Sequence, residues 1–273
     1  MKRIVRVLAG LFLALAVLAS TGCTKLQARD QLNKGVQSYK NARYEEAIEH
    51  FKNAVGLDPS LLNARIYLAT AYAQQYVPGA ETEENKRFAQ QAIEEYKKVL
   101  AVDPTNINSV KGIAYLYLQQ KQFGDAKQYY NKAVQIDPND PESYYSVAFI
   151  DWTESYKFRQ DERNKLGMKA TDMLKDKKVC ELVKTHNASD VEEGIGLLNK
   201  ALQLRQDYDD AMAYLNLMYR ERADYECDNL DARNADLKTA DNWVDKNLAT
   251  KKEKANKQGP GGIVLDAPKD QQK

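Results

Sequence analysis

Residues 126–138 read AKQYYNKAVQIDP, a helical face and its stop signal within one short run. Ala126, Tyr130 and Ala133 lie four and three residues apart, on one side of an α-helix. Ile136-Asp137-Pro138 then ends the helix and opens the next, because Pro lacks the N–H that a helix interior needs. The same spacing occurs upstream as Ala47, Phe51, Ala54 and Pro59, and as Ala92, Tyr96, Val99 and Pro104. A weaker copy is Gly194, Leu198, Ala201 and Gln206. Ten residues after the last landmark of each copy stand Ala69, Ala114, Ala148 and Asn216, and three further on Tyr72, Tyr117, Asp151 and Tyr219. Gly35 holds the equivalent place ahead of Ala47.

Small residues at these points let two helices approach closely, and the aromatic residue four places after the alanine fills the space between neighbouring hairpins. The pattern resembles the tetratricopeptide repeat, from about residue 28 to 250. That resemblance implies an all-α fold: a right-handed solenoid of about five antiparallel helix hairpins, with a concave groove lined by the first helix of each. Abundant Ala, Leu, Lys, Glu and Gln with only 13 Gly and 7 Pro agree with a helical chain.

Pro104 to Pro138 is 34 residues, whereas Pro59 to Pro104 is 45 and Pro138 to Gln206 is 68. The excesses of 11 and 34 residues place two insertions, each between the helices of one hairpin. They are expected at about 75–85, around Pro78-Gly79, and at about 155–188, partly helical near Thr171 to Lys184. Ser189 and Glu192 have the spacing of a capping box that would restart the regular helix. The last hairpin, Asp210–Glu221 and Asp231–Leu248, lacks the landmarks and reads as a cap. Residues 251–273, Lys-rich and then Gly-Pro-Gly-Gly, read as a flexible tail carrying one aliphatic run, Ile263-Val264-Leu265.

Lys2, Arg3 and Arg6 precede an uncharged apolar run, Val7 to Ala19, the layout of a secretory signal peptide over residues 1–22. Ser20-Thr21-Gly22-Cys23 resembles the lipobox of bacterial lipoproteins, although Ser20 stands where an aliphatic is usual. The resemblance implies an acylated Cys23, a short linker over residues 23–27 and, with Thr24 instead of Asp, an outer-membrane address facing the periplasm.

The chain has 40 Lys+Arg against 39 Asp+Glu, so no basic excess favours nucleic acid. Neither His50 nor His186 has a partner at metal-binding spacing. P-loop and nucleophile-elbow sequences are absent, so no catalytic residue, metal, cofactor or small-molecule substrate is expected. After Cys23 only Cys180 and Cys227 remain. In the repeat register both fall in loops between paired helices, on the same edge of adjacent hairpins, and in an oxidising compartment they are expected to form a disulfide.

By the same register the first helices present Tyr39, Tyr67, Tyr115, Tyr145, Phe149, Trp152 and Tyr214 at or near the concave side. Rings with polar tips suit extended peptides. Lys40, Asn63 and Lys111 do not reproduce the carboxylate clamp of some relatives. The expected function is a non-catalytic, lipid-anchored scaffold for proteins or peptides of the cell envelope, in outer-membrane protein or pilus secretin assembly. An adaptor that regulates cell-wall enzymes is the alternative.

Overall fold

The computed structural model describes residues 23–169 and 173–258. They form helices without strands, and the chain divides into two compact units between Ile136 and Asp137. The signal-peptide segment lies outside the described residues.

The first unit holds α1 (23–40), α2 (Tyr44–Leu57), α3 (Leu62–Gln75), α4 (Glu83–Leu100), α5 (Ile107–Gln119) and α6 (Phe123–Ile136), three successive hairpins. The repeated alanines are its packing points: Ala47, Ala54, Ala69, Ala92, Ala114, Ala126 and Ala133 have no exposed surface. Phe51, Tyr72, Tyr96 and Tyr130 are buried with them, and Tyr117 is half-buried. At Gly35 an added Cβ would come within 2.4 Å of the Phe51 ring, so glycine is what allows α1 to lie against α2. In the two tight hairpins the chain reverses through Ala42 and Lys121, both left-handed (φ 57° and 58°).

Pro59, Pro104 and Pro138 are exposed, and the residue before each explains the motif. Asp58 accepts hydrogen bonds from the Ser60 amide (3.1 Å) and hydroxyl (2.6 Å), and Asp103 does the same for Thr105 (3.1 and 2.9 Å). Asp137 accepts from the Asn139 amide at 3.0 Å. The carboxylate thus closes a turn over a residue that has no N–H to satisfy. These bonds hold Asp58 and Asp103 below the usual carboxylate pKa.

The first insertion becomes the loop Tyr76–Thr82 and a longer start to α4. Buried Asn85 fastens the loop: its amide donates to the Val77 and Ala80 carbonyls at 2.8 and 2.7 Å, and its oxygen accepts from the Val77 amide at 2.7 Å.

The second unit holds α7 (Pro141–Lys165), α8 (Lys177–Leu204), α9 (Asp209–Asp224) and α10 (Leu230–Gln258). Ala148, Val183, Val191, Leu198, Ala201, Leu215 and Met218 form its apolar core. Here the second insertion is mostly helix rather than loop. Compared with α5 and α6, α7 runs twelve residues further past its landmark alanine, α8 starts fourteen residues earlier, and the connection takes up the other eight. Asp176 caps α8 by accepting from the Val179 amide, so Ser189 and Glu192 lie inside a continuous helix and make no capping box.

Two further boundaries differ from expectation. Residues 23–27 belong to α1 instead of a linker, with Ala28 buried just beyond. Residues 251–258 belong to α10 instead of a tail. Lys254 explains the latter: its ammonium bonds the Asp209 carboxylate of α9 at 2.6 Å, and lysines near a helix C-terminus offset the helix dipole. Residues 259–273 lie outside the described residues.

Candidate functional site

In the second unit the structure gathers the aromatic residues of the first helices. Tyr214 of α9 stands edge-on to three rings of α7: Tyr145 at 5.5 Å and 80°, Phe149 at 5.2 Å and 67°, and Trp152 at 5.2 Å and 80°. Edge-to-face contacts at these distances bring the positive ring edge to the negative ring face. All four are half-buried, so the group serves as core on one side and as surface on the other.

Two rings extend the group beyond the expected set. Tyr208, buried before α9, packs 5.2 Å from Tyr145, and Tyr156, 40% exposed, stacks 5.1 Å from Trp152. Tyr145, Phe149, Trp152 and Tyr156 are spaced four, three and four residues apart, a single face of α7. That spacing is legible for Tyr156; Tyr208 lies in a turn, where helical spacing gives no signal. Burial raises the Tyr145 phenol far above its ordinary pKa, with Tyr214 and Asp210 adding to the effect, and burial raises Tyr208 and Tyr214 too. The phenols therefore stay protonated and offer hydroxyl groups, with Asp210 beside them and the Arg205 guanidinium 4.5 Å from the Tyr208 ring.

Behind Tyr156 the lengthened α7 carries a buried ionic group. Arg159 donates two bonds of 2.7 Å to Glu221 and pairs with Asp224 at 2.9 Å; Arg163, 1% exposed, pairs with Asp224 at 3.1 Å. Burial raises the Glu221 carboxyl pKa and Arg159 opposes it. The bidentate geometry is the form in which a buried arginine and carboxylate best satisfy one another. Arg159 also lies 5.2 Å from the Tyr156 ring, tying the ring face to the ionic group.

Cys180 and Cys227 are joined by a disulfide, with Cα atoms 5.7 Å apart. Cys180 lies in the first turn of α8 rather than in the preceding loop, and Cys227 in the connection from α9 to α10. Asp151, where other copies have Tyr, is buried, and its carboxylate oxygens lie within 4.8 Å of those of Asp190 and Glu193. No His or Cys joins this group, and acidic residues alone do not define an ion site.

In the first unit the rings are spread out. Tyr67 (39% exposed) stacks on Phe51 at 5.5 Å, Tyr39 meets Tyr44 at 5.3 Å, and Tyr115 is 47% exposed. A cleft of about 430 Å³ lies between α3 and α5, lined by Asn63, Ile66, Tyr67, Thr70, Tyr96 and Asn108. At its edge the Thr70 and Tyr96 hydroxyls are 3.0 Å apart. Cys23 is exposed at the first described residue of α1, and no helix among the described residues is long and apolar enough to cross a membrane.

Tetratricopeptide-repeat families match residues 32–61 and 89–148. Among solved structures, a MamA protein aligns with a TM-score of 0.56 at 12% identity over 88% of this chain and 98% of its own. MamA from residue 41 onward, of Desulfovibrio magneticus RS-1, gives 0.55 at 17% over 83% and 96%. YrrB, described as a TPR protein with an unusual peptide-binding site, gives 0.52 at 14% over 82% and 90%. A sequence search of curated proteins finds no match.

Proposed function

We propose that this chain, which carries tetratricopeptide repeats, is a non-catalytic scaffold of the bacterial cell envelope, holding a peptide or protein partner on the first-helix face. The observation that carries the reading is the contact of Tyr214 with Tyr145, Phe149 and Trp152, an aromatic surface that two hairpins build and neither completes alone. Rigid rings give large contact area at low entropic cost, which is why they dominate binding energy at interfaces. The likeness to YrrB supports peptide binding as the use of such a face.

Residues 1–23 supply the address: export, acylation of Cys23 and the outer membrane. Because α1 includes residue 23, an acyl anchor there would be joined to the first hairpin without slack. Such an anchor would keep the scaffold at the membrane where an outer-membrane protein or secretin is assembled.

The test is crosslinking in living cells of the full chain, the Tyr145→Ala/Trp152→Ala/Tyr214→Ala variant and the Cys23→Ala variant, with mass spectrometry of what co-purifies. An envelope assembly protein lost from both variants supports an anchored scaffold. A cell-wall enzyme lost from the ring variant but retained without the anchor favours the adaptor reading. A partner retained by the ring variant overturns binding through this face.

A further inference from the structure

The ring face of the second unit lies beside the point where α10 ends. Lys254 of α10 bonds Asp209 at 2.6 Å and approaches Asp207 at 3.8 Å. Between those two aspartates stands Tyr208, whose ring packs on Tyr145. The Asn247 side chain also donates to the Asp209 carbonyl, so the last turns of α10 are fixed against the start of α9. One turn beyond Lys254 the helix reaches Gln258, and the sequence continues Gly259-Pro260-Gly261-Gly262-Ile263-Val264-Leu265.

Three properties of that continuation fit the face. The four-residue Gly-Pro-Gly-Gly link reaches up to ~14 Å when extended, more than the roughly 6 Å of helix that separates Gln258 from Lys254, where α10 bonds the start of α9. Its three glycines remove the steric barrier to a chain reversal. Ile263-Val264-Leu265 is the longest aliphatic run in the sequence after α9, and the Tyr145 and Tyr214 rings it would meet are half-buried aromatic surface beside Asp210.

Resting on the reading of the ring face as a binding surface, we propose that Ile263-Val264-Leu265 is its built-in occupant, packed across Tyr145 and Tyr214 and displaced when an external segment binds. The partner is then an extended segment with two or three consecutive aliphatic residues, able to compete with a tethered one. A short flexible tether presents its ligand at roughly millimolar effective concentration, so a free peptide of the same sequence with a Kd below ~1 mM corresponds to a mostly occupied face.

The test uses the full chain with Trp243→Phe, so that Trp152 is the sole tryptophan, beside the same chain ending at Gln258 and a full-length Ile263→Asp/Val264→Asp/Leu265→Asp variant that keeps α10 intact. Both altered chains are expected to show red-shifted Trp152 emission and stronger acrylamide quenching at unchanged helical circular dichroism. A synthetic peptide of residues 259–273 should reverse the change in the shortened chain with saturation, and its triple-Asp form should not. Identical emission and quenching in all three chains, or no saturable effect of the peptide, overturns the proposal. Peptide binding without any partner lost from the ring variant in cells would overturn the scaffold function and leave this contact standing; the reverse result would do the opposite.

Discussion

The first hairpin is closed by a phenyl ring against a glycine; the fourth is joined to the fifth by a guanidinium against a carboxylate. Phe51 meets Gly35 with no exposed surface, while Arg159 meets Glu221 through two bonds of 2.7 Å in an interior almost as dry. The regular hairpins end where their landmark residues end, so small and large apolar side chains fill most of the seam, with Arg65 and Glu95 paired at its edge in the second. In the fourth hairpin about three extra turns on α7 and four on α8 extend past the landmarks. Where that added length of α7 meets α9 the seam is ionic, made of Arg159, Arg163, Glu221 and Asp224, beside buried Leu174 and Val183 and a disulfide. Apolar packing depends on volume, whereas the ionic seam depends on every charge keeping its partner.

The sharpest way to break that comparison is to remove one member from each seam. Phe51→Ala should cost about 3–5 kcal/mol through lost burial and the cavity left behind. Glu221→Ala should cost ~2–4 kcal/mol for a different reason, because it strips buried Arg159 of its bidentate partner and leaves it only Asp224, which Arg163 shares. The two mechanisms separate in the next variant: Arg159→Met/Glu221→Leu should recover most of the loss, since a buried ion pair is often no better than an apolar pair of similar volume. Urea unfolding measures all three. A Glu221→Ala cost below ~1 kcal/mol would mean that Asp224 or water satisfies Arg159 without Glu221.

Opening the disulfide tests the same seam from its other end. Cys180→Ser/Cys227→Ser removes a cross-link between residues 47 apart and should cost about 2–4 kcal/mol, seen as a lower urea midpoint in the second unit. The first unit has no such bond among its described residues and should be indifferent to reductant.

Much of this architecture is legible in the sequence because the repeat is short-range. Ala126, Tyr130 and Ala133 lie on one helical face whatever surrounds them, and the excess lengths between prolines locate both insertions. What the insertions become is not legible in the same way. The sequence reads 155–188 as a charged insertion with helix only near 171–184, but Lys, Arg, Glu and Gln are good helix formers, and α7 runs on to Lys165 while α8 starts at Lys177. Arg159 and Glu221 are 62 positions apart, and nothing local marks them as partners. Lys254 is misread for the same reason, since its partner Asp209 lies 45 positions upstream. Of the seven expected ring positions, the four in α7 and α9 come together, whereas Tyr39, Tyr67 and Tyr115 each pair locally or stand alone.

Two glycines compare the seams more finely. A Cβ at Gly35 would lie 2.4 Å from the Phe51 ring, which is fixed in the core, so Gly35→Ala should cost about 1–3 kcal/mol by overpacking. At Gly194 the Cβ would lie 2.1 Å from the terminal methyl of Met218, a flexible end that can turn away. Gly194→Ala should change stability by less than ~1 kcal/mol, with the helix propensity of alanine offsetting the rearrangement. Equal costs at the two sites, by thermal unfolding, would show that the second unit is packed as rigidly as the first.

The smallest expected effect concerns the end of α10. The hydrogen bond from Lys254 holds the Asp209 carboxyl below its ordinary pKa, and the same bond raises Lys254. A lowered carboxyl pKa gives stability that is present above the ordinary carboxylate range and is lost as pH falls through the folded-state value. Both groups reach solvent, so Lys254→Met should cost less than ~1 kcal/mol at neutral pH, with salt reducing the difference. The difference from the parent should vanish once acid has protonated Asp209. Its effect on the ring face should be larger than its effect on stability if α10 positions an occupant there, because releasing the last turns moves the tether away from Tyr208 while leaving the core untouched. Trp152 emission that shifts under Lys254→Met at near-parental stability would separate positioning from folding; emission that tracks stability in proportion would reduce Lys254 to an ordinary surface ion pair.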